Sequence, residues 1–181
     1  MRGFAIAVWL GLLTLGASGV AGADPRVQSL AGYWVLDRPA AEEAAMTAEI
    51  ERATAEMSFV FRGVARAIMK RGMEPAPHFG IHLDGGDLFI DWGDDALERV
   101  DLSGEAQVND DAVLRSGVVE GALERAWRHD EETHGVSRWV VSDAGDRLVI
   151  HQVLYNPRFA GPVRYAISYR RSEPPEAIDP R

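Results

Sequence analysis

The 181-residue sequence predicts a mainly β fold, a single antiparallel up-and-down barrel of about 8–10 strands with one long α-helix inserted after the first strand. Three observations carry this reading. The first is the C-terminal third, where Gly135–Ser142, Asp146–Tyr155 and Val163–Arg171 are rich in β-branched and aromatic residues. Asp143-Ala144-Gly145 separates the first two runs, and Asn156-Pro157 to Gly161-Pro162 separates the last two, so the three read as consecutive antiparallel strands. The second is alternation: Val163, Tyr165, Ile167 and Tyr169 fall on one face of the last run, and Arg164, Ala166, Ser168 and Arg170 on the other. The third is that short runs with turn signals recur along 78–128, while one stripe at spacings of three and four occupies 40–71. A β-sandwich with a packed helix is the alternative architecture.

From the start of the chain, Met1-Arg2 precedes an apolar run, Ala5–Leu15, and a small-residue stretch ending Ala21-Gly22-Ala23. These are the three parts of a secretory signal peptide cleaved before Asp24, which makes the mature protein periplasmic or secreted. The apolar run is shorter than the ~20 residues of a spanning helix, so no transmembrane segment is expected in the mature chain. The sequence has no Cys, so neither disulfides nor lipoprotein acylation is available. The 158 residues from Asp24 suffice for one domain, 24–171, with a core of its own. They hold 18 basic and 28 acidic residues, a net charge of −10, which argues against a nucleic-acid partner. Residues 172–181, rich in proline and charge, read as a disordered tail.

Ala31–Asp37 is the first strand candidate, and Asp37-Arg38-Pro39 ends it and begins a helix. Met46, Ile50, Ala53, Met57, Val60 with Phe61, Val64 and Ile68 then form one apolar stripe, which predicts a single helix over about 40–71 packed on the sheet. Glu42, Glu43 and Glu49 towards its start, and Arg66, Lys70 and Arg71 before Gly72, suit the macrodipole and a glycine C-cap. His78–Asp84 and Asp87–Gly93 flank Gly85-Gly86 as a hairpin. Weaker strands follow at Leu97–Leu102, Glu105–Val108 and Ala112–Ser116, and a longer one at Val118–Arg128. In that longer strand Val119, Leu123 and Trp127 share a face, and Gly117 marks a turn or bulge before it.

Gly32-Tyr33-Trp34 resembles the G-x-W opening of the calycin barrels, the lipocalins and fatty-acid-binding proteins, and the chain is also similar to bacterial exported lipocalin-like domains of unknown function. The resemblance spans Leu30 to Arg171. It implies that an arginine of the last strand lies across Trp34 and closes the base of the barrel with Gly32. Tyr169-Arg170-Arg171 supplies it, and strand parity favours Arg171. In fatty-acid-binding proteins a helical segment after the first strand forms the portal lid, which implies the same place for the helix here. The lipocalin T-D-Y motif is absent, and the R-x-Y clamp would align with Ile167-Ser168-Tyr169, which lacks the arginine.

No G-x-S-x-G, H-E-x-x-H, G-x-G-x-x-G or P-loop occurs, no catalytic residue is assigned, and no cofactor is implied. His78 and His82 share a strand face roughly 13 Å apart, too far to hold one metal together. His129-Asp-Glu-Glu-Thr-His134 reads as a solvated turn rather than a cation site, and His151 as an ordinary strand residue. The favoured function is an exported, non-catalytic protein that holds a small, mostly apolar ligand inside the barrel, with the helix as lid. Trp34, Met57, Phe61, Trp139, Tyr165 and Tyr169 are its ligand-binding candidates; inward tyrosine hydroxyls and Gln152 need polar partners, which a ligand's polar end would supply. The alternative is an envelope structural or partner-binding protein whose barrel is filled by its own side chains. An isomerase- or hydrolase-type enzyme and a haem binder stand behind both.

Overall fold

The structure is a computed structural model that describes residues 25–37, 39–84, 87–93, 97–108 and 112–174. The expected signal peptide, 1–23, and residues 175–181 of the expected tail lie outside these, as do Gly85 and Gly86. In chain order the elements are α1 (Pro25–Gln28), β1 (Gly32–Asp37), α2 (Ala40–Ala53), α3 (Phe59–Gly72), β2 (His78–Asp84), β3 (Asp87–Asp91) and β4 (Leu97–Val100). They continue with β5 (Gln107–Val108), β6 (Val113–Val119), β7 (Ala122–Arg128), β8 (His134–Val141), β9 (Arg147–Tyr155) and β10 (Val163–Ser172).

The strands form one antiparallel sheet in the order β4-β3-β2-β1-β10-β9-β8-β7-β6-β5, so β1 pairs with β2 across both helices and, on its other side, with the last strand β10. The mainly β reading holds, but among the described residues the ladder does not close: β4 and β5 are its two edges, and they are four and two residues long. Short edges are one way a sheet avoids pairing with other chains. The sheet curls instead into a half-barrel. Phe79 of β2 meets Trp139 of β8 at 5.6 Å between ring centroids, and Glu98 of β4 pairs with Arg125 of β7, although these strands are far apart in the ladder.

Two expectations are corrected. The predicted single helix is two helices of 14 residues each, broken at Thr54–Ser58. Thr54 is fully buried and its hydroxyl donates back to the Ile50 carbonyl at 2.9 Å, a local bond that competes with helix continuation. Arg62 of α3 then turns back to the carbonyls of Ala55 and Met57, at 2.8 and 2.9 Å, which the break has left without helical partners. The predicted break at Gly117 is likewise absent, because β6 runs through it. The turn lies at Glu120-Gly121, both at positive φ (50° and 79°), a two-residue hairpin loop of primed type. That turn splits the expected Val118–Arg128 strand, so Leu123 and Trp127 share their face with Val118 and not with Val119.

The inner face of the curl carries the main core. Trp34, Phe79, Ile81, Leu88, Ile90, Val100, Leu123, Trp139, Leu148, Ile150 and Tyr169 are buried together, with Val27 and Leu30 of the α1 segment against them. A second cluster joins Met46, Ile50 and Ala53 of α2, and Met69 and Met73, to Val163, Leu154, Phe159 and Tyr165. Helix α2 therefore covers the other end of the same inner face.

Candidate functional site

The base of the half-barrel is built around Trp34. Its indole N–H donates to the Leu30 carbonyl at 2.9 Å, and the Arg171 guanidinium lies 4.3 Å over its ring. The same guanidinium donates to the carbonyls of Gly145 (2.5 Å), Ser29 (2.7 Å) and Ala31, tying β10 to the chain before β1. Gly32 sits at φ 144°, and a Cβ there would overlap Arg171, so the residue that opens the strand must be glycine. A guanidinium stacked on a buried indole contributes about 1–2 kcal/mol.

The six ligand-binding candidates do not converge. Trp34, Trp139 and Tyr169 are in the packed base, where Phe79 sits 4.8 Å from Tyr169 and Trp92 sits 6.2 Å from Trp139. Tyr165 belongs to the α2 cluster. Met57 is half-buried in the break between the helices, and Phe61 is exposed on α3.

Between the two clusters lies a polar band that is legible in the sequence only in part. Ser116, Arg125, Ser137, Gln152 and Tyr165 are register partners in succession across β6, β7, β8, β9 and β10, so they form one polar row on the inner face. The rows on either side are apolar: Val118, Leu123, Trp139, Ile150 and Ile167 towards the base, and Leu114, Trp127, Gly135, Leu154 and Val163 towards the rim. Arg125 pairs with Glu98, which also accepts from the Trp92 indole at 3.0 Å, and the Trp139 indole donates to Ser137 at 3.0 Å. The Nε of Arg125 is buried without a partner, and among the described residues the Gln152 amide and Tyr165 hydroxyl have none. Burial pushes the Tyr165 hydroxyl pKa up to about 12. Strand parity identifies Gln152 and Tyr165, but Arg125 emerges only once the Glu120-Gly121 turn fixes the register of β7.

Helix α2 lies along the part of β10 that β1 leaves uncovered. Glu49 accepts the Arg164 backbone N–H at 3.1 Å, and Glu42 accepts the Ser168 N–H at 3.0 Å and its hydroxyl at 2.5 Å. These carboxylates take the place of a neighbouring strand. The Arg52 hydrogen bonds hold the Glu49 carboxyl below its ordinary pKa, assisted by the Arg164 backbone bond.

Helix α3 is different. Phe59, Val60, Phe61, Val64 and Ile68 are 58–90% exposed, and they are five of the eight large apolar side chains exposed among the described residues. The other three, Leu97, Val108 and Val140, are scattered over β4, β5 and β8. The second half of the predicted stripe thus faces away from the sheet; only Met69 of α3 is buried.

The 129–134 turn borders an open cleft of about 560 Å³ that includes Glu131, Glu132, His134, Tyr155 and Phe159. His134 stacks on Tyr155 at 4.8 Å, and the Asp130 carboxyl, pKa-lowered by the backbone N–H groups of Thr133 and Glu132, caps the turn. No cluster of metal-ligating side chains occurs among the described residues, and none of their helices is long and apolar enough to cross a membrane. Compared with family models, curated proteins and solved structures, the chain has no match.

Proposed function

We propose that this is an exported, non-catalytic protein that works by docking through α3, with the half-barrel as a rigid frame filled by its own side chains. The observation that carries the reading is the contrast between a base packed with Trp34, Phe79, Trp139 and Tyr169 and a helix that keeps five large apolar residues in water. An exposed apolar patch of that kind marks an interaction surface. Export rests on the Met1–Ala23 leader pattern, and we read the frame as an open relative of the calycin barrel on the strength of Gly32-Tyr33-Trp34 and the Arg171–Trp34 stack.

The polar row favours a second reading, a carrier that holds a mostly apolar molecule on the inner face, its polar end at Gln152 and Tyr165. One experiment separates the two. An environment-sensitive hydrophobic dye should bind the folded chain through α3, so Phe61→Asp with Val64→Asp abolishes the signal and Tyr165→Phe leaves it unchanged. The opposite pattern would select the carrier.

A further inference from the structure

The charge on α3 is as one-sided as its apolar face. Between Met57 and Met73 the sequence holds Arg62, Arg66, Lys70 and Arg71 and no acidic residue, in a chain with 28 acidic against 19 basic residues. Two of these cations are used internally: Arg62 on the carbonyls of Ala55 and Met57, and Arg66 on the Thr54 hydroxyl at 3.1 Å. Lys70 and Arg71 are exposed and enter no hydrogen bond or ion pair among the described residues. At about 100° per residue, Arg71 falls within about 20° of Val64 around the helix, inside the sector of Val60, Val64 and Ile68.

We propose, building on the docking role of α3, that the surface it meets is an anionic lipid bilayer. The helix would lie in the plane of the interface, with Phe61, Val64 and Ile68 in the acyl region, Arg71 reaching phosphate level from their sector, and Lys70, about 120° from Val64, on the flank of the helix. Amphipathic helices with aromatic and aliphatic residues on one face and cations beside it bind in this way, and long basic stems reach the phosphates while their methylenes stay in the apolar layer. On α3 exposed apolar side chains and cations coincide, with no acidic residue in the helix. The acidic remainder of the chain is repelled by the same surface, which limits contact to α3 and keeps it reversible.

A second copy of the chain fits less well. A 14-residue helix is about 21 Å long and offers a single ridge, short of the ~800 Å² per partner that a stable dimer buries. Two α3 faces brought together would also set Lys70 and Arg71 against a helix with no acidic residue.

The absence of Cys allows a local test. Val64→Cys in the full chain carries an environment-sensitive fluorophore on α3, and Val108→Cys, exposed on β5, carries the control. With vesicles of phosphatidylglycerol and phosphatidylcholine, the label at position 64 should shift to the blue and be quenched by brominated acyl chains, while the label at 108 does neither. Lys70→Gln with Arg71→Gln should weaken this binding about tenfold or more and remove most of its salt dependence. Equal affinity for phosphatidylcholine alone would overturn the proposal, as would a shift that needs no lipid and grows with protein concentration, the mark of a second copy. No lipid shift, with photocrosslinking from position 64 to an envelope protein, would overturn the bilayer and keep the docking role. Neither shift nor crosslink would overturn both.

Discussion

Helices α2 and α3 have the same length, follow one another in the chain and carry apolar residues at the same spacings, yet they present them to opposite surroundings. Met46, Ile50 and Ala53 of α2 are buried on the inner face of the sheet, whereas Val60, Phe61, Val64 and Ile68 of α3 are in water. Periodicity establishes that a helix has an apolar side; it does not say what covers that side. What separates the two is the polar residues beside each stripe. Glu42 and Glu49 lie in the same sector of α2 as Met46 and Ala53, and there they meet backbone N–H groups that β10 leaves unpaired. The face of α3 has no such groups beside it, only cations, and its internal bonds run from the opposite side, through Arg62 and Arg66.

The largest effect follows from placing one charge on each helix. Ile50→Asp should lower unfolding stability by about 4 kcal/mol or more, because it buries an unpaired carboxylate between α2 and β10. Val64→Asp should change it by no more than about 0.5 kcal/mol, because the side chain is already in water. Urea titration of both variants measures the difference. Equal losses would mean that α3 is packed and that the comparison is false.

The middle effect concerns the cluster that α2 covers. Tyr165 ionises near pH 12 in the folded protein, against about 10 in an unfolded chain, so between these values the unfolded state has lost a proton that the native state keeps. Stability should therefore be intact below pH ~10 and fall as pH rises towards ~12, by roughly 2 kcal/mol from this group. Tyr165→Phe should flatten that part of the profile relative to the parent chain. The same slope in both proteins would show that α2 does not seal the hydroxyl from water.

Much of this frame can be read from the sequence for a definite reason. In β10 apolar and polar residues alternate, the turns at Asp143-Ala144-Gly145 and Asn156-Pro157 make β8, β9 and β10 neighbours, and Gly32 with Arg171 is legible through the resemblance of Gly32-Tyr33-Trp34 to the calycin opening. The β6–β7 turn is not legible, because Glu120-Gly121 lacks the Asn or Asp that announces a primed turn, while Gly117 is a more conspicuous glycine. The helix break is hidden because Ala53, Met57 and Val60 keep helical spacing straight through it. Thr54 and Ser58 are weak signals, and the bond that favours the break, from Arg62 back to Ala55 and Met57, exists only after the chain has turned. In the sequence Glu42 and Glu49 suit only the helix macrodipole, because the exposed edge they cap is a property of β10, more than a hundred residues away.

The smallest effect tests whether α3 behaves as a unit of its own. Gly63 lies in the middle of α3, and a Cβ there would touch nothing within 4 Å. In a helix interior Gly→Ala gains about 0.5–1 kcal/mol by restricting the unfolded chain, with no contact needed. A helix of 14 residues is marginal alone in water, and α3 buries only Met69, so its opening should be local rather than part of global unfolding. Gly63→Ala should therefore slow hydrogen exchange of the α3 amides about threefold to fivefold, while the exchange of β9 and β10 and the global urea midpoint stay where they are. A substitution in α2 such as Ala45→Gly, also on an exposed position, should instead move the global midpoint, because α2 is fastened to β10 through Glu42, Glu49 and Ile50. If Gly63→Ala shifts the global midpoint as well, α3 unfolds together with the sheet, and its exposed face belongs to a more firmly held element than its contacts imply.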